Sequence, residues 1–154
     1  MKKGITTILR GIAIFIISII VLLILFLIAC PIINNITAVN VMNDIRSIPL
    51  PEDTEIVETF SRAEKLVGNG NGMQYLGVIL IQSDLSLDEL DQYYSAYRED
   101  QWDYIVEAQE TQELGIIEHG SYSFDTDVSD GHFYIVYSWG DGLPLLRDLD
   151  LRGH

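Results

Sequence analysis

From Gly11 to Ala29 the chain is apolar almost without interruption: fifteen of nineteen positions are Ile, Leu, Val or Phe, and none is charged. No polar stripe recurs at any period, so the run has no face that prefers water and does not read as the core helix of a small soluble domain. Wound as a helix it is about 28 Å long, close to the hydrocarbon thickness of a bilayer. At roughly −0.3 to −0.6 kcal/mol per apolar residue, insertion is favoured by about 4 to 9 kcal/mol. The pattern predicts a membrane-spanning helix over 11–30, preceded by a short N-terminus over 1–10.

After Pro31 the rhythm changes. Ile36, Val39, Met42 and Ile45 fall three apart, which lays a narrow apolar stripe along a helix over 34–47. Pro49-Leu50-Pro51 ends it, because a residue preceding proline is pushed out of the helical region. This segment, 31–50, reads as a stalk helix and linker between the bilayer and a domain over 51–140.

Within that domain, 55–67 reads as a strand with mixed faces, Ile56, Phe60 and Leu66 on one side and Val57 and Ala63 on the other. Gly68-Asn69-Gly70-Asn71-Gly72 supplies residues that reach positive φ cheaply, hence a hairpin loop. The returning strand, 73–83, is apolar on both faces, Tyr75, Ile79 and Ile81 against Leu76, Val78 and Leu80, as a strand inside a sheet should be. A helix follows. Ser86 and Glu89 form a capping box, Leu85 and Leu90 a hydrophobic staple, and Leu87, Leu90, Tyr94 and Tyr97 recur at helical spacing as its buried face. Three more strands are expected: 102–109, with Trp102, Tyr104, Val106 and Ala108 alternating against polar neighbours; 116–124, broken by Gly120; and 132–139, with Phe133, Ile135, Tyr137 and Trp139 on one face after an Asp130-Gly131 turn. The tail, 141–154, is polar and turn-rich. The order strand, strand, helix, strand, strand, strand with short connections implies an α+β fold: an N-terminal transmembrane helix, then a small antiparallel sheet with one helix packed on a face.

Charge changes the picture by giving the chain a direction. Lys2, Lys3 and Arg10 precede the apolar run and no acid does; all 23 Asp and Glu follow it with six Lys and Arg, so +3 before and 6 − 23 = −17 after give the net −14. Cationic flanks stay cytoplasmic, which places the N-terminus inside and the C-terminal domain extracytoplasmic. A domain this acidic repels phosphate backbones, which argues against nucleic acid as a partner.

Cys30 is the only cysteine, so the domain has no internal disulfide and its core must suffice alone. Leu27-Ile28-Ala29-Cys30 resembles the lipobox of bacterial lipoproteins, and that resemblance implies cleavage before Cys30 and a diacylglycerol on its sulfur. A cleaved signal has an apolar run of about 7 to 15 residues, and the run here is longer, which favours a retained anchor.

Candidate chemistry is sparse. The Gly68–Gly72 loop leads into a strand rather than a helix and lacks a Lys-Ser or Lys-Thr pair, unlike phosphate-cradling loops. Asp125 to Gly131 resembles the start of a calcium loop, but the sixth and twelfth positions hold Asp130 and Val136 where Gly and Glu are needed. His119, His132 and His154 have no metal-ligand spacing. No nucleophile elbow occurs, and no cysteine lies in the domain to act as an exported nucleophile. No catalytic residue, metal ligand or cofactor site is therefore assigned, and the expectation is a protein without enzymatic activity. Eight Tyr and two Trp lie wholly after the anchor; Tyr93 and Tyr134, the ones read as pointing outward, are the candidates for a recognition surface.

Leu50-Pro51, the Gly-Asn loop, Glu89-Leu90-Asp91-Gln92-Tyr93-Tyr94 and Trp102 together resemble a pattern in small, uncharacterised membrane-anchored or lipidated proteins of Gram-positive bacteria. The resemblance covers about a third of the chain and implies location and fold, with no activity. The expected function is a single-pass membrane protein whose acidic domain binds a protein partner or serves envelope machinery. The alternatives are a lipoprotein cleaved before Cys30 that serves a transporter or envelope complex, and an exported carboxylate-dependent hydrolase.

Overall fold

The computed structural model describes residues 2–129 and 131–154, with side chains from Ile8 onward. The side chains of Lys2 and Lys3, and Asp130 of the expected turn, lie outside the described residues.

One helix, α1 (Lys2–Ser47), runs for 46 residues, about 69 Å at 1.5 Å per residue. Between Ile8 and Ile28 its large aliphatic side chains are exposed; α1 is long and apolar enough to cross a membrane. It does not stop at Pro31, which lies inside it. Proline removes one N–H and so leaves the carbonyl of Leu27 without its helical donor, a loss tolerated where neighbouring groups re-satisfy freed backbone.

Here the structure departs from the expected stalk. Cys30, Asn34, Ala38, Met42, Ile45 and Ile48 are buried, while Ile36 and Val39 are exposed. The buried positions recur mainly at four-residue spacing, which is the true stripe; it faces a sheet. Ile45 and Ile48 pack with Ile79, Ile81 and Val136, so the second half of α1 is a layer of the domain. A domain beginning at Pro51 would leave only α2 to cover that face of the sheet.

The sheet is antiparallel, ordered β1-β2-β4-β3, with β1 Thr54–Glu64, β2 Gln74–Ser83, β3 Ile105–Ala108 and β4 Phe133–Gly140. β2 is central and its two apolar faces separate as expected: Leu76, Val78 and Leu80 on one side, Ile79 and Ile81 on the other. β4 likewise puts Phe133, Ile135, Tyr137 and Trp139 on one face. β1 differs, because its register against β2 shifts between Ile56 and Glu58. The bulge at Val57 flips the alternation, so Ile56 joins the helix-covered face and Phe60 the opposite one. The expected strand over 116–124 is not formed. An isolated bridge pairs Glu113 with Ser123, because Gly120 at φ 100° reverses the chain between them. The long β3–β4 connection covers the second sheet face with Leu114, Phe124 and Val128.

α2 (Leu87–Ser95) has the expected capping box: the Glu89 N–H donates to Ser86 Oγ, and the Ser86 N–H to Glu89 Oε2 at 2.9 Å. Leu90 and Tyr94 are buried, but Leu87 and Tyr97 are each 39% exposed. The buried stripe is narrower than expected because α1 occupies the middle of the sheet and leaves α2 only the β3 side. Arg98 Nη2 donates to Asp91 Oδ1 at 2.5 Å, so Asp91 is paired rather than free in solvent. Leu90→Ala should cost about 2 to 5 kcal/mol of stability, Ser86→Ala about 1 kcal/mol, and Asp91→Ala less than about 1 kcal/mol, since its partner is a half-exposed ion pair. Urea unfolding of the three variants gives the ranking; an Asp91→Ala loss equal to that of Leu90→Ala would contradict this helix phase.

The tail is ordered too. α3 (Pro144–Leu149) and a 3-10 turn, Leu151–Gly153, pack back against α1 through the buried Leu146 and Asp150.

Candidate functional site: a polar clasp where the helix meets the domain

β1 runs back along the sheet from the end of α1, so the β1–β2 loop meets the tail at Gly72 and Gly153, the end of β4 lies beside Val41, and the tail reaches residues 31–35 of α1. Asn34 projects from α1 into this junction and is buried. Its Nδ2 donates to Asp150 Oδ2 at 2.9 Å and to the Leu146 carbonyl at 3.2 Å. Its Oδ1 accepts from the Tyr75 hydroxyl at 2.8 Å. Arg152 completes the set, donating from Nε to Asp150 Oδ1 at 3.0 Å and from Nη2 to Oδ2 at 2.7 Å. The same guanidinium reaches α1 itself, at the Asn35 Oδ1 (2.9 Å) and the Pro31 carbonyl (3.1 Å). Backbone bonds extend the clasp to the hairpin: the Lys65 N–H donates to the Arg152 carbonyl and the Gly72 N–H to that of Gly153.

Electrostatics explains why a carboxylate is kept here. Burial alone would raise the Asp150 carboxyl, but hydrogen bonds from Arg152 and Asn34 outweigh it and hold the group below its ordinary range. Asn34 Nδ2, Arg152 Nη2, Arg152 Nε and the Arg152 N–H all donate to its two oxygens. A carboxylate offers about four lone-pair sites, so these four donors fill the acceptor capacity of Asp150 and tie the tail to α1.

Cys30, the candidate lipidation site, is buried within the continuous helix, four residues before Asn34. Tyr93 and Tyr134 lie on the helix-covered side and pack partly buried against its apolar cluster, and the Tyr93 hydroxyl donates to the Pro49 carbonyl at 2.8 Å. They are separate positions around one cluster. Burial pushes the Tyr94 phenol up to about 12, and burial together with a hydrogen bond to Glu107 raises Tyr137. Among the described residues, the Tyr94 hydroxyl is the one buried side-chain polar atom without a partner.

The remaining candidates separate in space. His119 meets the Gly68 carbonyl at 2.6 Å beside the clasp, whereas the His132 carbonyl accepts from Ser83 at the far end of the sheet. The calcium-like loop is bound by a carboxylate rather than shaped for a cation: Glu58 accepts from the N–H groups of Asp125 and Thr126 and from the Thr126 hydroxyl. No group of three metal-ligating side chains occurs among the described residues. An open cleft of ≈ 640 Å³ lies between the glycine loop and the tail, lined in part by Arg147, Asp148 and His154.

Sequence reading missed the clasp because its members are about 115 residues apart along the chain, and a buried Asp-x-Arg pair looks like any polar tail. The one local signal was Asn34, a polar residue on the stripe that continues from Cys30. No family model matches the chain, and neither does any curated protein or solved structure with which it was compared.

Proposed function

We propose that this is a single-pass membrane protein whose N-terminus is cytoplasmic and whose acidic extracytoplasmic domain is a binding or accessory module of envelope machinery rather than an enzyme. The observation that carries the reading is the continuity of α1, which runs from its apolar stretch into the core of the domain without a flexible joint. A helix packed over the sheet and clasped at its base holds the domain at one height and orientation above the bilayer. That geometry serves docking onto a neighbour in the membrane better than capture of a diffusing substrate. The Lys/Arg asymmetry supports the orientation. Lipidation of Cys30 is disfavoured, because a thiol buried at 1% exposure is not presented to lipid.

Two measurements test this. In cells carrying Cys30→Ala together with Glu110→Cys, a membrane-impermeant maleimide should label the exposed position on intact cells; labelling only after permeabilisation would reverse the topology. The intact mass of the native chain extracted from its membrane should include residues 1–29, and a diacylated species starting at Cys30 would replace the anchor with a lipoprotein.

A further inference from the structure

We infer that the clasped end of the domain, α3 with the following turn and the two tryptophans beside it, is seated in the headgroup layer of the same bilayer that α1 spans. The inference rests on reading α1 as a membrane anchor. Leu143, Leu145, Leu149 and Leu151 are 66%, 64%, 40% and 85% exposed, a density of bare leucine that a water-facing tail of this length has no reason to carry. Their height is fixed by the clasp. Asn34 and Pro31, which hold the tail to α1, lie two to five residues beyond Ala29, about 3 to 8 Å along the helix axis. The headgroup layer on each side of the hydrocarbon is about 5 to 8 Å thick, so the tail sits within it.

Two further observations agree on that level. Trp102 and Trp139 line one hollow with Val67 and Met73 at this end of the sheet, and Trp102 is 56% exposed. Indole rings concentrate at membrane–water interfaces, where an apolar body and a polar N–H are both accommodated. Ile32 and Ile36 of α1 are also exposed at 55% and 53%, which is costly in water and unremarkable at the edge of a bilayer. The occupant is lipid in general rather than an anionic headgroup. Arg147 is paired with Asp148 at 3.1 Å and Arg152 with Asp150 at 2.7 Å, so little free positive charge remains, and the contact rests on apolar area.

Because both native tryptophans lie at this end, their emission reports on it in the full chain. In phosphatidylcholine nanodiscs, a spin label near the carbonyl end of the acyl chain should quench that emission more than a label near the methyl end. Adding phosphatidylglycerol should change this little. With Trp102→Phe and Trp139→Phe, a tryptophan placed by Leu149→Trp should be quenched in the same order, and one placed by Asp88→Trp on α2 should not be. Chain that stays with the nanodisc while neither native nor Leu149→Trp emission responds to either label would overturn the seating and leave the anchor intact; so would efficient cross-linking of Cys30→Ala/Leu149→Cys chains to one another by a bismaleimide, which would put a second copy on that face. Chain that separates from the nanodisc altogether would remove the anchor, and this inference with it.

Discussion

Gly77→Ala should destabilise the domain by about 3 kcal/mol or more, the upper end of what one added methyl costs in a packed core. Gly77 lies in the middle of β2, opposite Ser61 and Ser138, and its φ is not in the left-handed region. Backbone freedom is therefore not the reason for glycine here; space is. A Cβ on Gly77 would press into the backbone of Met42 and lie 2.7 Å from Val41 C and Met42 Cα. Backbone cannot rotate aside as a side chain can, so all of α1 would have to lift from the sheet and loosen Ile45 and Ile48 from Ile79 and Ile81. Two controls separate this from a general intolerance of the substitution. Gly140→Ala meets only the side chain of Val41 and Tyr75 Cβ and should cost less. Gly70→Ala meets nothing within 4 Å and should be neutral or slightly stabilising, by up to about 1 kcal/mol through the unfolded chain. Urea unfolding of the full chain in detergent, followed by tryptophan emission, orders the three; equal losses at Gly77 and Gly70 would mean that α1 does not lie against the sheet as described.

That contact marks the limit of what the sequence discloses. Elements specified by neighbours in the chain were legible: the capping box of Ser86 and Glu89, the two faces of β2, the single face of β4, and the apolar run of α1. Elements specified by distant partners were not. Pro31 reads as a helix end when only local propensity is weighed, yet α1 continues through it to Ser47 and packs its second half on the sheet. Val57 reads as an ordinary strand residue until the register against β2 absorbs it as a bulge. The tail reads as loose because its polar residues are spent on Asn34, Asn35 and Pro31, more than 110 positions earlier. Of the candidate site residues, Cys30 lies buried within α1, while Tyr93 and Tyr134 are partly buried because the face they occupy is the one α1 and α2 share.

Arg152→Ala should be the most damaging change in the tail, costing about 3 to 5 kcal/mol, the penalty for leaving a buried charge without its partner. The two members of the pair are not equivalent. The Asp150 side chain is 4% exposed and that of Arg152 is 32% exposed. An orphaned guanidinium can swing to solvent, whereas an orphaned Asp150 keeps only Asn34 as a side-chain donor. Asp150→Ala should therefore cost less than Arg152→Ala, and the double variant should be more stable than Arg152→Ala alone, a coupling that only a direct interaction produces. The pH dependence should change sign as well. In the native chain the Asp150 carboxyl titrates below its ordinary range. Its contribution is complete above the unfolded-state value of about 4 and is lost as pH falls through the lower folded value. In Arg152→Ala the burial that Arg152 had outweighed dominates and raises the group above its unfolded value. The folded state then holds the proton more tightly, so the penalty is relieved as pH falls through the raised value toward about 4. Denaturant midpoints measured across the acid range for the native chain and for Arg152→Ala, with Arg152→Ala/Asp150→Asn as the variant lacking the titrating group, would display the reversal. Parallel pH profiles for all three would mean that Asp150 is not held by Arg152 in the folded protein, and the clasp at the base of the domain would have to be given up.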